Sequence, residues 1–159
     1  MNMNNLNICF VCAGNACRSP FAESVLRKLA ADASLIGLKV WSCGTINWGQ
    51  NPRDEVMTRI AWEMGYEMAG TTTFMSREPL LEADTIIVFE KYQRDLLTRV
   101  VDYDHWDRIR LFDQLAFDTP TDYDDPSNEQ EHIYRTTAMH IEEGCRRILN
   151  LIKPRLSDQ

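Results

Sequence analysis

The chain has 159 residues, 44% of them hydrophobic and 26% charged, with a formal net charge of -7. That composition fits one globular domain over residues 1–159 and excludes a disordered chain. With 17 basic against 24 acidic residues, it also argues against sequence-independent nucleic-acid binding, which needs cations to neutralise phosphates. The negative excess is local. Seven acids (Asp113, Asp118, Asp122, Asp124, Asp125, Glu129, Glu131) and no Lys or Arg lie between 113 and 131, and elsewhere acids and bases balance. Five cysteines, an odd number, do not make a full disulfide framework. Met1 to Asn7 carries no basic residue, and the apolar run around Ile8 to Ala13 is too short for a signal-peptide core. No apolar run reaches the roughly 18 residues that a spanning helix needs. These features predict a reduced cytoplasmic protein with no membrane segment.

In chain order, Leu6 to Val11 reads as a short buried strand running into a Gly-containing loop, Cys12 to Ser19. Phe21, Ala22, Val25, Leu26 and Leu29 then fall at helical spacing, with Ser19 as the predicted N-cap and Pro20 at the first helical position. Lys39 to Cys43 is a second strand, ended by Gly44. Arg53 to Met64 is a helix with Val56, Ile60 and Met64 on one face and Gly65 at its C-cap. Thr85 to Phe89, rich in β-branched residues, is the clearest buried strand, followed by a helix from Lys91 to Arg99. Ile109 to Phe112 is a weaker fourth strand, and Asp113 to Glu131 is expected to be one long acidic loop. Ile133, Thr137, Ile141, Cys145, Ile148, Leu149 and Ile152 mark one face of a long last helix that stops at Pro154. Strands alternating with helices imply β-α-β units and a parallel sheet covered on both faces, with ligands held beyond the carboxyl ends of the strands.

The segment Cys12-Ala13-Gly14-Asn15-Ala16-Cys17-Arg18-Ser19-Pro20 occupies such a place. A loop entering a helix N-terminus points successive N–H groups at one spot and adds the positive end of the helix dipole. Gly14 and Asn15 tolerate the left-handed backbone that a cradle requires. Arg18 offers a rigid fork of donors to two oxygens of a phosphoryl group. Cys12, at the mouth of the cradle, is placed among groups that favour the thiolate, and Ser19 can donate a hydrogen bond to it. A thiolate beneath an oxyanion cradle is a nucleophile aimed at phosphorus.

The pattern C-x-G-N-x-C-R-S-P after a buried strand resembles the signature of the low-molecular-weight protein-tyrosine phosphatases, and the resemblance runs over nearly the whole chain. Ser42-Cys43-Gly44-Thr45 resembles that family's S-A-G-T, Trp48 and Pro52-Arg53-Asp54 fall at its aromatic pocket wall and helix start, and Ser76-Arg77-Glu78 resembles A-R-Q. Val88-Phe89-Glu90-Lys91 resembles a segment with an acid after the third strand, and Asp125-Pro126 matches the Asp-Pro pair that supplies the general acid. The resemblance implies a three-layer fold, with a four-stranded parallel sheet between helices. It implies hydrolysis of phosphotyrosine on proteins through a phosphocysteine intermediate, without cofactor or metal. Cys12, Arg18 and Asp125 would be catalytic, and Ala13, Gly14, Asn15, Ala16, Cys17, Arg18, Ser19, Trp48 and Tyr123 would bind the substrate. The residues alone do not single out Asp125 among its acidic neighbours; its role comes from the resemblance. The resemblance also makes Cys17 the partner of a reversible disulfide with Cys12, against the alternative of a small buried side chain.

Ser127, Asn128 and Glu129 stand after Asp125-Pro126, where the family usually has aromatics. Tyr123 either replaces that wall or the pocket is more open. Ala16 matches neither the Thr of phosphoarginine-directed members nor the larger aliphatic residue of many tyrosine phosphatases, so phosphoarginine is the alternative substrate. Arsenate reduction would need two downstream cysteines, and none lies between Cys43 and Cys145. A phosphocysteine carrier domain lacks the loop Arg and the Asp-Pro acid. An inactive phosphate-binding module fits poorly with an intact Cys12, Arg18, Ser19 and Asp125. Cys9-x-x-Cys12 invites a zinc or redox reading, but strand alternation turns the two thiols to opposite sides. Cys43 and Cys145 are read as packing residues, and His105, His132 and His140 as surface or satisfied histidines. The acids around Asp125 are expected to disfavour its ionisation and to favour basic flanking sequence. The protein is read as a monomer whose partner is a phosphotyrosine-bearing protein, and as the opponent of a bacterial-type tyrosine kinase.

Overall fold

The computed structural model describes residues 5–158. Four parallel strands, β1 (Leu6–Cys12), β3 (Leu38–Gly44), β4 (Thr85–Val88) and β5 (Ile109–Leu111), pair in the order β3-β1-β4-β5. Alternation along β1 splits the core. Leu6, Ile8, Phe10 and Cys12 pack on one face with α1 (Arg18–Asp32), α2 (Glu55–Glu63), α5 (Phe112–Phe117) and α6 (Glu131–Ile152). Cys9 and Val11 pack on the other with Leu80 of α3 (Arg77–Glu82) and Leu97 of α4 (Lys91–Leu97). Cys9 and Cys12 therefore point to opposite faces, and Cys9 Sγ sits 3.8 Å from Cys43 Sγ. A two-residue strand pair, β2 (Leu35–Ile36) with β6 (Ser157–Asp158), ties the end of α1 to the C-terminal segment. Among the described residues no helix is long and apolar enough to cross a membrane.

Chain order reverses at β1: the connection from β3 passes over β1 to reach β4. Register places Cys12 opposite Gly44 and Val11 opposite Val88, so the loops leaving β1, β3 and β4 meet at this switch point, where open α/β sheets bind ligands. Three expectations need correction. Helix α1 begins at Arg18 with Cys17 as its N-cap, two residues before the expected Ser19, whose side chain is turned to Cys12 instead. Pro20 consequently sits third in the helix, still in the first turn where its missing N–H is tolerated. The acidic stretch is not one loop: Asp113 belongs to α5 and Glu131 opens α6, leaving 118–130 as irregular backbone.

Candidate active site

The Cys12–Ser19 loop is built on Asn15, a fully buried residue with φ 56. Its side-chain amide donates to Ser19 Oγ and Ser42 Oγ, both at 2.9 Å. Its Oδ1 accepts from Arg53 at 2.7 Å and from Thr73 N at 2.9 Å, and its carbonyl accepts from Arg53 at 2.5 Å. Ser42 in turn donates to Glu23 at 2.7 Å. Asn is one of the few side-chain-bearing residues that occupy the left-handed region readily, and here every polar atom of its amide is used. Gly44 sits behind the loop; a Cβ there would come within 2.6 Å of Ala13 O and 2.8 Å of Asn15 N. The loop is further stitched by Thr45 N to Cys12 O, Ile46 N to Ala13 O and Asp54 N to Ala16 O.

Cys12 and Ser19 meet at 2.9 Å, Sγ to Oγ. Ser19 Oγ accepts the Asn15 amide and has two neighbours within reach of its own proton, Cys12 Sγ and, at 3.4 Å, the Cys43 carbonyl. Arg18 is 1% exposed. Its Nη1 donates to Glu90 Oε1 and to the Tyr123 carbonyl, both at 2.5 Å, and its Nη2 lies 3.9 Å from Asp125 Oδ2. Nε is buried without an acceptor among the described residues. Burial works against the charge of Arg18, but Cys12, Asp125 and Glu90 outweigh it and hold the guanidinium above its ordinary pKa. Burial, with Asp54, Asp125 and Cys12 adding to it, pushes the Cys17 thiol well up against the opposing pull of Arg18, so Cys17 rests neutral beside Cys12.

Asp125 lies in the 118–130 segment with its side chain 40% exposed. Oδ1 accepts from Ser127 N at 3.0 Å and Ser127 Oγ at 2.7 Å, which leaves Oδ2, on the Arg18 side, as the oxygen open to a substrate. Tyr123 reaches the site through its backbone, donating to Phe89 O and accepting from Arg18; its ring stacks on His140. Trp48, 53% exposed, lies with its indole against Gly14, close enough that a Cβ on Gly14 would overlap the ring. Asp122, Asp124 and Glu129 line one cavity with Asp125, while several acids of the stretch have partners on other elements. Asp113 pairs with His140, Asp118 accepts from Gln114, Asp122 accepts from Lys91 N, and Glu131 bonds Arg59 and Arg135.

Every sequence-predicted loop residue, with Trp48, Tyr123 and Asp125, thus gathers at one end of the sheet. Arg53 and Tyr134 were missed. Arg53 clamps Asn15, and Tyr134 donates to Asp54, the N-cap of α2, at 2.9 Å while accepting from Asn128 N at 3.2 Å. Their partners lie far away in sequence; Pro52-Arg53-Asp54 marks Arg53 only as part of a helix start, and no local pattern marks Tyr134.

Comparison with known proteins gives a consistent picture. Residues 7–157 match the model of the family described as low molecular weight phosphotyrosine protein phosphatase. The chain is 30% identical to the low molecular weight protein-tyrosine-phosphatase YfkJ of Bacillus subtilis, over 93% of this chain and 96% of that one. A low molecular weight phosphotyrosine phosphatase from Vibrio cholerae O395 superposes with a TM-score of 0.87 at 25% identity, covering 94% of this chain and 97% of that one. The YwlE arginine phosphatase of Geobacillus stearothermophilus shares the fold, with a TM-score of 0.84 at 23% identity and 94% of each chain covered. With the Cys12–Ser19 loop, the buried Arg18 and Asp125-Pro126 assembled at one switch point, the chain belongs to the low molecular weight phosphotyrosine protein phosphatase family.

Proposed function

We propose that the chain hydrolyses phosphotyrosine on proteins through a phosphocysteine intermediate. The observation that carries this reading is Arg18: a buried guanidinium whose Nη1 is held by Glu90 and Tyr123, and whose Nε has no protein acceptor among the described residues, six residues from Cys12 on the same loop. Nε and Nη2 are then the two donors for phosphoryl oxygens, with the amides of Ala13 to Ser19 taking the others. In the first step Cys12 Sγ attacks phosphorus in line and a P–S bond forms. The P–O bond to the tyrosyl oxygen breaks as Asp125 Oδ2 delivers its proton to that oxygen. In the second step Asp125 takes a proton from water, the hydroxyl oxygen bonds phosphorus, and the P–S bond breaks to return thiolate and inorganic phosphate. Ser19 stabilises the thiolate both as nucleophile and as leaving group. Positive charge on phosphate comes from Arg18 and the amides, so the scheme requires no metal. Trp48, beside Gly14, forms one wall for the aromatic ring of the substrate. Five unpaired buried thiols fit a reducing compartment such as the cytoplasm.

The test is steady-state hydrolysis of 4-nitrophenyl phosphate and of phosphotyrosine and phosphoarginine peptides, without added metal. Cys12→Ser is expected to lose at least about 10⁴-fold in kcat. Asp125→Ala should lose about 10²- to 10⁴-fold on phosphotyrosine. Retained activity in Cys12→Ser would sink the mechanism. Faster turnover of phosphoarginine than of phosphotyrosine would reassign the substrate while leaving the nucleophile in place.

A further inference from the structure

The 118–130 segment has no regular secondary structure, yet it must hold Asp125 over the phosphate cleft. Pro126 is its buried residue, and Tyr123, partly buried, packs its ring against the core. The backbone of Tyr123 is fixed by Phe89 O and by Arg18. Its ring lies on the imidazole of His140, with centroids 4.3 Å apart and planes 15° apart. Phe117 stacks on the same imidazole at 4.6 Å and 29°. Two rings so near and so nearly parallel occupy opposite faces, so His140 is sandwiched. Its Nε2 is 2.7 Å from Oδ1 of Asp113, a buried carboxylate on α5. The column continues to the Arg147 guanidinium, 4.8 Å from the Phe117 ring centroid and two turns along α6 from His140.

We propose that His140 is a positioning residue: clamped by Phe117 and Asp113, it presents a fixed face to Tyr123 and so aims Asp125 and Arg18 together. The proposal rests on the phosphatase reading above, since it concerns delivery of the proton in that reaction. Stacking fixes the plane of the Tyr123 ring, and the hydrogen bond to Asp113 fixes the rotation of the imidazole within the sandwich. Tyr123 is two residues from Asp125 and supplies the carbonyl that Arg18 holds, so a tilt of its ring moves the acid and one donor of the phosphate fork at once. Displacements of about 1 Å at a reacting group can cost roughly 10²-fold in rate. The segment has further ties at Asp122, which accepts from Lys91 N, and at Asn128, through Tyr134 to Asp54. Loss of the stack should therefore loosen the acid rather than release the whole segment.

The experiment compares kcat and KM for 4-nitrophenyl phosphate, whose leaving group departs with little help from an acid, and phenyl phosphate, which needs the proton. His140→Ala should lose about tenfold in kcat on phenyl phosphate and less than about threefold on 4-nitrophenyl phosphate, with KM nearly unchanged. His140→Phe keeps the stack without the bond to Asp113 and should recover most of the loss. Tyr123→Leu, a second route to the same disruption should His140→Ala fold poorly, is expected to reproduce the leaving-group dependence. Asp125→Ala, run alongside, calibrates the signature of a missing acid. Equal losses on the two esters, or none, in folded His140→Ala and Tyr123→Leu would overturn the proposal if Asp125→Ala still discriminates between them. If Asp125→Ala does not discriminate, the acid assignment itself fails, and the proposal falls with it.

Discussion

The two segments to which the proposed chemistry assigns the nucleophile and the acid are held in opposite ways. The Cys12–Ser19 loop is almost wholly buried, and its central residue, Asn15, uses every polar atom of its side-chain amide on partners from four other places in the chain. The 118–130 segment is mostly exposed, and its ties to the rest of the fold are sparse, among them Asp122 on Lys91 N, Tyr123 on Phe89 and Arg18, and Asn128 on Tyr134. A phosphoryl cradle gains from rigidity, because donors already aimed at the transition state need no reorganisation. A proton donor must instead approach a substrate that enters and leaves, so a segment with sparse anchors suits it. Damage to the first region should accordingly disturb fold and rate together, and damage to the second mainly rate.

The sharpest way to break this contrast is Gly44→Ala. The added Cβ meets backbone atoms of residues 13 to 15, which cannot swing aside as a side chain would. The expected cost is about 1–3 kcal/mol of stability in urea unfolding, together with a drop in kcat of about 10²-fold from displacement of the loop. Gly14→Ala is the control, since the atoms nearest its Cβ belong to the exposed Trp48 ring. It should raise KM more than it lowers stability. If Gly44→Ala unfolded like wild type and kept its rate, the loop would be far softer than its bonding implies.

Next in size is Arg53→Met, which removes two donors from Asn15 and leaves a buried carbonyl without its partner. A hydrogen bond to a charged group contributes about 1.5–3 kcal/mol, and the stability loss should fall there. The accompanying fall in kcat should be about tenfold, because Ser19, Ser42 and Thr73 still hold Asn15. A loss of rate without loss of stability would show that Arg53 acts on the phosphate directly rather than through Asn15.

The same contrast explains what could be read from the sequence. Cys12, Asn15, Arg18 and Ser19 form their cradle within eight consecutive residues, so local chemistry exposes them, and Asp125-Pro126 was found by its resemblance to a known pair. The anchors were invisible because they join positions far apart: Arg18 to Glu90, Asn15 to Arg53, Tyr123 to His140, Tyr134 to Asp54. Ser19 was misassigned as the N-cap for a physical reason. Its hydroxyl has the chemistry of a cap but is spent on the thiol. The acidic stretch divides. Asp122, Asp124, Asp125 and Glu129 share one cavity, whereas Asp113 and Glu131 belong to helices and pair with His140 and with Arg59.

The smallest expected effect tests the far anchor of the acid segment. Tyr134 links Asp54 to Asn128, and burial, reinforced by the Asp54 carboxylate and opposed by the Asn128 N–H, pushes its hydroxyl up to about 12. A folded value above the unfolded one, about 10, means that the fold prefers the neutral hydroxyl. That preference is fully present below about pH 10 and is lost as pH climbs through about 12. Tyr134→Phe removes one neutral-to-charged hydrogen bond at a cost of about 1 kcal/mol near neutral pH, and it should flatten the decline in stability between about pH 9 and 12. Tyr66, raised by burial and by Glu142, declines in the same direction, so Tyr66→Phe must be measured beside it and the two flattenings should add. Rate should fall only a few-fold in Tyr134→Phe, since the Tyr123 end still aims Asp125. A fall as large as that of Asp125→Ala would mean that the acid is held chiefly from the Asn128 side, and the division of labour between the two anchors would have to be reversed.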